Sequence, residues 1–304
     1  MAVSSDKNTA SIFRSGFVAI MGKPNVGKST LLNTITGQKI AIVTSRPQTT
    51  RNRIMGVKNV PNGQIVLFDT PGIHAPLHTL GRFILKTSMD TVSEVELIYL
   101  VVNPASPDED DISVINMLKD VKKVLFLVVN KIDMLRDKSA LLCVIDAYRK
   151  FLNFEEIIPV SAKSGSGVDV LISESLRYLP EGPRYYPDEV VTDVFERFMA
   201  SETIREKLMD YTHDEIPHSI AVDVVRWQEK KSGLISISAN ILVEKPTQKG
   251  IIIGKNGRTL KAAGTKARKE IEDIVGARVY LDLFIKVKKN WRKDVSALKD
   301  LGFK

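Results

Sequence analysis

Five short apolar runs punctuate the first 160 residues of the chain: Phe17-Val18-Ala19-Ile20-Met21, Ile65-Val66-Leu67-Phe68, Leu97 to Val102, Val124 to Val129, and Ile157-Ile158-Pro159-Val160. Continuous aliphatic runs of this length predict strands buried on both faces. Stretches with helical spacing separate them, at 28–36, 108–120, 138–151 and 168–178. Alternating strands and helices predict an α/β domain with a mainly parallel sheet and helices on both faces. Ligands of such sheets sit at the carboxyl ends of the strands.

The pattern changes at Pro180-Glu181-Gly182-Pro183, with Pro187 close behind. These breakers predict a linker over 182–196, between a first domain of 1–181 and a second of 197–304. A helix is predicted from about Val190 to Tyr211, then strands at 219–227 and 234–243, a helix after Gly254, and a last strand at 278–287. Ile220, Val222 and Val224 alternate with Ala221, Asp223 and Val225, as in a half-covered strand. The second domain is therefore α+β.

Composition changes this picture in two ways. The 304 residues, 43% hydrophobic and 26% charged, suit two globular domains. There is no apolar run of about 18 residues to span a membrane, and 1–15 lacks the apolar core of a signal peptide. The single cysteine, Cys143, has no disulfide partner within the chain and reads as inert core. The expected location is the cytoplasm. The charge, secondly, is uneven: 226–304 hold 19 Lys+Arg against 8 Asp+Glu, so the whole +8 excess lies in the last quarter. A basic block on a near-neutral body suggests a polyanionic partner.

Candidate chemistry follows the strand ends. Gly22-Lys23-Pro24-Asn25-Val26-Gly27-Lys28-Ser29, continuing into Thr30, has the form of a phosphate-binding loop between a strand and a helix. Its N–H groups can cradle phosphate oxygens, Lys28 can reach the β- and γ-phosphates, and Ser29 can give its hydroxyl to Mg²⁺. Asp69-Thr70-Pro71-Gly72 ends a second strand, where Asp69 can orient Mg²⁺ and Gly72 can offer its N–H to a γ-phosphate. Asn130-Lys131-Ile132-Asp133 ends a third, where Asn130 and Asp133 would select guanine. A carboxylate at Asp133 only accepts, which matches the two parallel donors of guanine and not the edge of adenine, so GTP and GDP are the expected ligands. In Ser161-Ala162-Lys163, a further GTP-binding candidate, Ser161-Ala162 would add a backbone N–H to the guanine oxygen. In the arginine-rich segment around Thr49 and Thr50, Thr50 is preferred over Thr49 as a further Mg²⁺ ligand.

Together with Gln48–Arg51, Arg197-Phe198-Met199-Ala200-Ser201-Glu202 and Gly254-Lys255-Asn256-Gly257, these motifs make nearly the whole chain resemble the Era-type GTPases, which carry a C-terminal KH domain. The resemblance implies a P-loop GTPase domain followed by a type II KH domain. It also implies a role in small-subunit ribosome assembly, with the KH domain on the 3′ end of the small-subunit rRNA, and a weak peripheral association with the inner membrane. A monomer is expected. The Ras-like glutamine that orients water after the D-x-x-G glycine is replaced by Ile73, which predicts slow intrinsic turnover. His74 follows and reads as a bystander. Asn25 resembles the phosphate-loop asparagine that binds K⁺ in related GTPases.

Ile253-Gly254-Lys255-Asn256-Gly257-Arg258 resembles the G-x-x-G loop by which KH modules clamp about four nucleotides of backbone. Arg258 and Lys261 would face the strand, and the run Ile251–Ile253 would line an apolar groove for bases. Lys286, Lys288 and Lys289, with Arg292 and Lys293, form a second basic cluster for RNA. Trp291 inside it reads as packing, with base stacking the alternative. Two rival readings are a membrane or septum regulator with a lipid-reading tail, and a regulator that binds single-stranded DNA.

Overall fold

The computed structural model describes residues 12–44, 50–72, 79–137, 139–193, 196–213 and 215–302. The first domain is a six-stranded sheet of order β2-β3-β1-β4-β5-β6. Its elements in chain order are β1 (Arg14–Met21), α1 (Lys28–Thr36), β2 (Ile54–Val60), β3 (Gly63–Asp69), α2 (Thr79–Glu94), β4 (Leu97–Val102), α3 (Glu109–Leu118), β5 (Val124–Val129), α4 (Ala140–Arg149), β6 (Glu156–Pro159) and α5 (Val168–Tyr178). Only β2 runs antiparallel, against β3. β3 and β4 are buried along their whole length, and β1 and β5 over most of theirs, because apolar cores form on both faces of the sheet. β1 pairs with β3 on one side and β4 on the other, so the loop after β1 lies at the switch point of the sheet.

Next come α6 (Glu196–Asp210), α7 (Ile216–Ser219), β7 (Ala221–Glu229), β8 (Ile235–Val243), α8 (Pro246–Ile253), α9 (Arg258–Val275), β9 (Val279–Val287) and α10 (Val295–Asp300). β7 and β8 are antiparallel, β8 and β9 parallel. Ile235, Ile237, Ala239, Ile241 and Val243 turn one face of this sheet onto Ile204 of α6 and Ala263, Ala267 and Ile271 of α9.

Three expectations need correction. The helix expected from Val190 begins at Glu196. Before it the chain lies along β2: the Val57 N–H donates to the Val191 carbonyl (2.8 Å) and Thr192 Oγ1 to the Met55 carbonyl (2.7 Å). Tyr186 and Val190 pack on the first core, so their apolar surface holds this stretch to the sheet instead of continuing α6 backwards. Cys143 is exposed, not core. Helical spacing sends Val144 and Tyr148 inward and leaves Cys143 outside. The isoleucines 251–253 belong to α8, where Ile252 is fully buried and Ile251 is 51% exposed. A helix divides them between core and solvent, so they do not form one groove wall.

Candidate functional site

β1 ends at Met21 and the chain turns into α1, which starts at Lys28. Over this turn lies a cleft lined by Pro24, Asn25, Gly27, Lys28, Ser29 and Thr30, with Thr44, Thr50 and Gly72 opposite. The positive end of the α1 dipole points to the same place. Lys28 is buried, and its Nζ donates to the Gly22 and Lys23 carbonyls, each at 2.9 Å. Burial pushes this ammonium down to about 8, against the attraction of Asp69. An incoming phosphate would supply the negative charge it lacks.

Beside it three oxygen-bearing side chains converge. Ser29 Oγ donates to Asp69 Oδ2 at 2.6 Å and lies 2.8 Å from Thr50 Oγ1, which donates to the same carboxylate oxygen at 3.1 Å. Asp69 is fully buried and its Oδ1 has no hydrogen-bond partner. Burial raises its pKa, while Lys28, Ser29 and Thr50 pull it back. Two hydroxyls around a buried carboxylate with an unsatisfied oxygen fit Mg²⁺, which takes oxygen ligands and retains waters. The structure thus brings Thr50 to Asp69. Gln48, Thr49, Ile73 and His74 lie outside the described residues.

Other motif residues do structural work that their spacing did not reveal. Lys23 turns to the start of α3, where it pairs with Asp108 and with Asp111 (2.8 Å), the two residues of that helix's capping box. Thr70 is buried and its Oγ1 donates to the Ile20 carbonyl (2.8 Å). Asn130 is 1% exposed; its Nδ2 donates to the Val26 carbonyl (2.8 Å) and its Oδ1 accepts from the Ala162 N–H (2.9 Å). It braces the phosphate loop against the loop after β6, because a buried amide must be satisfied internally. A Cβ at Gly27 would stand 2.3 Å from Asn130 Nδ2, so glycine is needed for the brace to close. The Ala162 N–H thus bonds Asn130, and the Ser161 N–H donates to the Ser166 carbonyl (2.8 Å).

Asp133 stays exposed at the end of this brace. Ser161 Oγ donates to Asp133 Oδ1 at 2.6 Å, and this bond holds the carboxyl below its ordinary range. At neutral pH it is an ionised, accept-only group. Lys131, at φ 61°, reaches back so that its Nζ donates to the Asn25 carbonyl (2.5 Å), while Lys163 is exposed. Asn25 itself is left-handed (φ 63°) and exposed at the cleft.

In the second domain α8 and α9 meet at Gly254–Gly257, whose Gly254, Asn256 and Gly257 all have positive φ (70°, 54° and 75°). This left-handed turn exposes Lys255, Asn256 and Arg258 at the start of α9, with Ile253 half-buried behind them. A groove runs from Gly257 past Leu260, Lys261 and Gly264 to Leu281 and Leu283 on β9. Lys286 and Lys289 are exposed and Lys288 half-buried. Trp291 is fully buried, with its Nε1 donating to the Ser219 carbonyl (2.9 Å), so it packs and does not stack on a base. Arg292 is paired with Glu244 (2.6 Å).

Sequence reasoning missed how the domains meet. Arg51, next to Thr50, is 4% exposed; its Nη1 donates to the Ile220 carbonyl (2.7 Å) and its Nη2 to that of His218 (3.0 Å). Lys39, at the other end of the same segment, pairs with Glu206 (2.9 Å) and Glu270. Leu80 and Ile84 of α2 pack with Trp291 and Leu298.

A P-loop fold with motifs at its strand ends, followed by a helix–loop–helix clamp on a small sheet, defines a nucleotide-binding domain joined to a KH domain. Family models agree: "50S ribosome-binding GTPase" matches residues 17–131 and "KH domain" matches 215–292. The chain is 48% identical over 294 residues to GTPase Era of Syntrophus aciditrophicus (strain SB), covering 96% of each protein. It is also 48% identical over 293 residues to GTPase Era of Geobacter metallireducens, covering 96% of this chain and 98% of that one. Two solved structures share 38% identity and cover 96% of this chain and 99% of theirs: an Aquifex aeolicus Era variant bound to GDP·AlF4⁻ (TM-score 0.92), and Era in complex with MgGDPNP and nucleotides 1506–1542 of 16S ribosomal RNA (TM-score 0.93). The chain belongs to the Era GTPase family.

Proposed function

We propose that the chain is a GTP-hydrolysing switch that holds the 3′ region of the small-subunit rRNA and acts in 30S subunit assembly. The observation that carries this reading is the convergence of Ser29, Thr50 and Asp69 beside the phosphate loop, in a chain that also carries an exposed G-x-x-G turn. Lys28 and the N–H groups of the loop bind and orient the β- and γ-phosphates. Ser29, Thr50 and Asp69 hold Mg²⁺, which when bound neutralises charge on the phosphate oxygens. Asp133 accepts from the guanine edge, and Asn130 keeps the two loops of the base site in place. Gly254–Gly257, with Ile253, Lys255, Asn256, Arg258 and Lys261, clamps the RNA, and Lys286, Lys288 and Lys289 extend the contact.

The relatives support both halves, since one Era structure carries MgGDPNP and 16S rRNA nucleotides together. Potassium at Asn25 is a narrower part of the proposal, supported by that side chain's place at the cleft mouth. Equal GTP turnover in sodium and potassium buffers would end it. The chain is placed in the cytoplasm, with a peripheral inner-membrane pool through the lysines around 286–289. No helix among the described residues is long and apolar enough to cross a membrane. The test of the main reading is GTP turnover with and without Mg²⁺, alongside RNA filter binding. Turnover that is Mg²⁺-dependent, with RNA preferred over DNA of the same sequence and over anionic vesicles, is expected. Stronger retention on vesicles would favour the membrane reading.

A further inference from the structure

The outer face of the second sheet, turned away from α6 and α9, is only half covered. Ala221 and Leu242 at one end pack with Trp291, Ala297 and Leu298. At the other end Tyr280 and Phe284 stand on the same side of β9 and are 57% and 49% exposed. Strand geometry puts them roughly 13 Å apart along the edge. Ser236 and Ser238 of β8 pair in register with Tyr280 and Asp282, and Arg226 of β7 pairs with Ser238. Ser236 thus stands beside Tyr280, Ser238 beside Asp282 between the rings, and Asn240 beside Phe284, so no large side chain of β8 covers either ring and there is room for flat ligands. The border is basic: Arg226, Lys230, Lys231, Arg278 and Lys286 are exposed around it, against Glu229 at the border and Asp282 between the rings. Aromatic rings on a positively charged sheet are the means by which single-stranded nucleic acid is held without strict sequence readout.

Position supplies the continuity. Leu281 and Leu283, which line the groove from Gly257, point to the helix side of β9, while Tyr280 and Phe284 point to the outer side. A strand lying in the groove has only to cross the free edge of β9 to reach the rings. We propose that the open half of this face is a second RNA surface, where bases of the strand leaving the G-x-x-G groove stack on Tyr280 and Phe284. This rests on the RNA reading of the Gly254–Gly257 loop and extends it.

The test measures affinity, by fluorescence anisotropy, for single-stranded RNAs nested within 16S rRNA nucleotides 1506–1542, from four nucleotides upward. The full-length protein is compared with Tyr280→Ala/Phe284→Ala, Tyr280→Phe and Lys255→Glu. Tetranucleotides should bind the double variant and wild type equally. The longer RNAs should bind the double variant roughly a hundredfold more weakly, about tenfold per ring, with Tyr280→Phe close to wild type. 4-Thiouridine placed beyond the groove-bound nucleotides should crosslink to Tyr280 or Phe284. Unchanged affinity for long RNAs in the double variant, or crosslinks confined to other surfaces, would overturn the proposal. Failure of the underlying loop reading would show differently: Lys255→Glu would bind tetranucleotides as tightly as wild type, and the extension would fall with it.

Discussion

The two sites of this chain solve opposite problems. In the first, Lys28, Asp69, Asn130 and Ser161 are buried and hydrogen-bonded, Lys28 and Asn130 to the backbone, Asp69 to Ser29 and Thr50, and Ser161 to Asp133. In the second, Lys255, Asn256 and Arg258 stand in solvent on a turn fixed by its backbone. Buried polar groups are costly to leave unmatched, so these pairs fix the frame of the first site, at whose end Ser161 holds the exposed Asp133. Exposed charges are screened and adaptable, which suits the second to the proposed hold on a phosphate backbone. The contacts of Arg51 and Lys39 join the two: the segment carrying Thr50 is tied to the KH domain at both ends.

The contrast breaks most sharply at Lys28. Lys28→Ala should cost about 3–5 kcal/mol of nucleotide affinity, as expected when one partner of a buried charge pair is removed, while RNA affinity persists. Equilibrium titration with a fluorescent GDP analogue and with RNA checks both; loss of both activities would show that the sites are not separable. Salt comes next. If Lys255, Arg258 and Lys261 each neutralise a phosphate, RNA affinity should fall by roughly a hundredfold per tenfold rise in salt, with GDP affinity much less affected.

Arg51→Ala should cost about 1–3 kcal/mol of stability in urea unfolding, since the carbonyls of His218 and Ile220 lose their donor. It should also weaken any effect of nucleotide on RNA affinity. Smallest is Glu270→Gln, at under about 1 kcal/mol because the pair is partly exposed. Burial alone would raise Glu270, but hydrogen bonds and charge from Lys207 and Lys39 hold it below the ordinary glutamate value. Its contribution is therefore present above that ordinary value and is lost as pH falls through the depressed one. Denaturation midpoints of variant and wild type should converge in acid.

Much of this was legible in the sequence, for local reasons. Each nucleotide motif follows an apolar strand, and strand ends are where an α/β sheet binds ligands. The G-x-x-G turn announces itself because two glycines with an asparagine between suit three left-handed positions. What stayed hidden depends on distance in the chain. β2 went unread because Gly56, Lys58 and Asn59 interrupt its apolar pattern, as an edge strand allows. Asn130 stands in the base motif by its spacing, and nothing local shows that it also bridges the Val26 carbonyl and the Ala162 N–H. The isoleucines 251–253 looked like a groove wall until α8 divided them.

The central claim is that the carboxylate of Asp133 selects guanine, and it can be tested by exchanging what that group accepts. Asp133→Asn replaces one acceptor with a donor, which mismatches the guanine amine and matches the carbonyl that xanthine carries in its place. Competition titration of the variant with GDP and xanthosine diphosphate should show GDP weakened and the xanthine nucleotide strengthened, each by roughly a hundredfold, the scale of one hydrogen bond left unpaired. Unchanged preference for GDP in the variant would contradict the account.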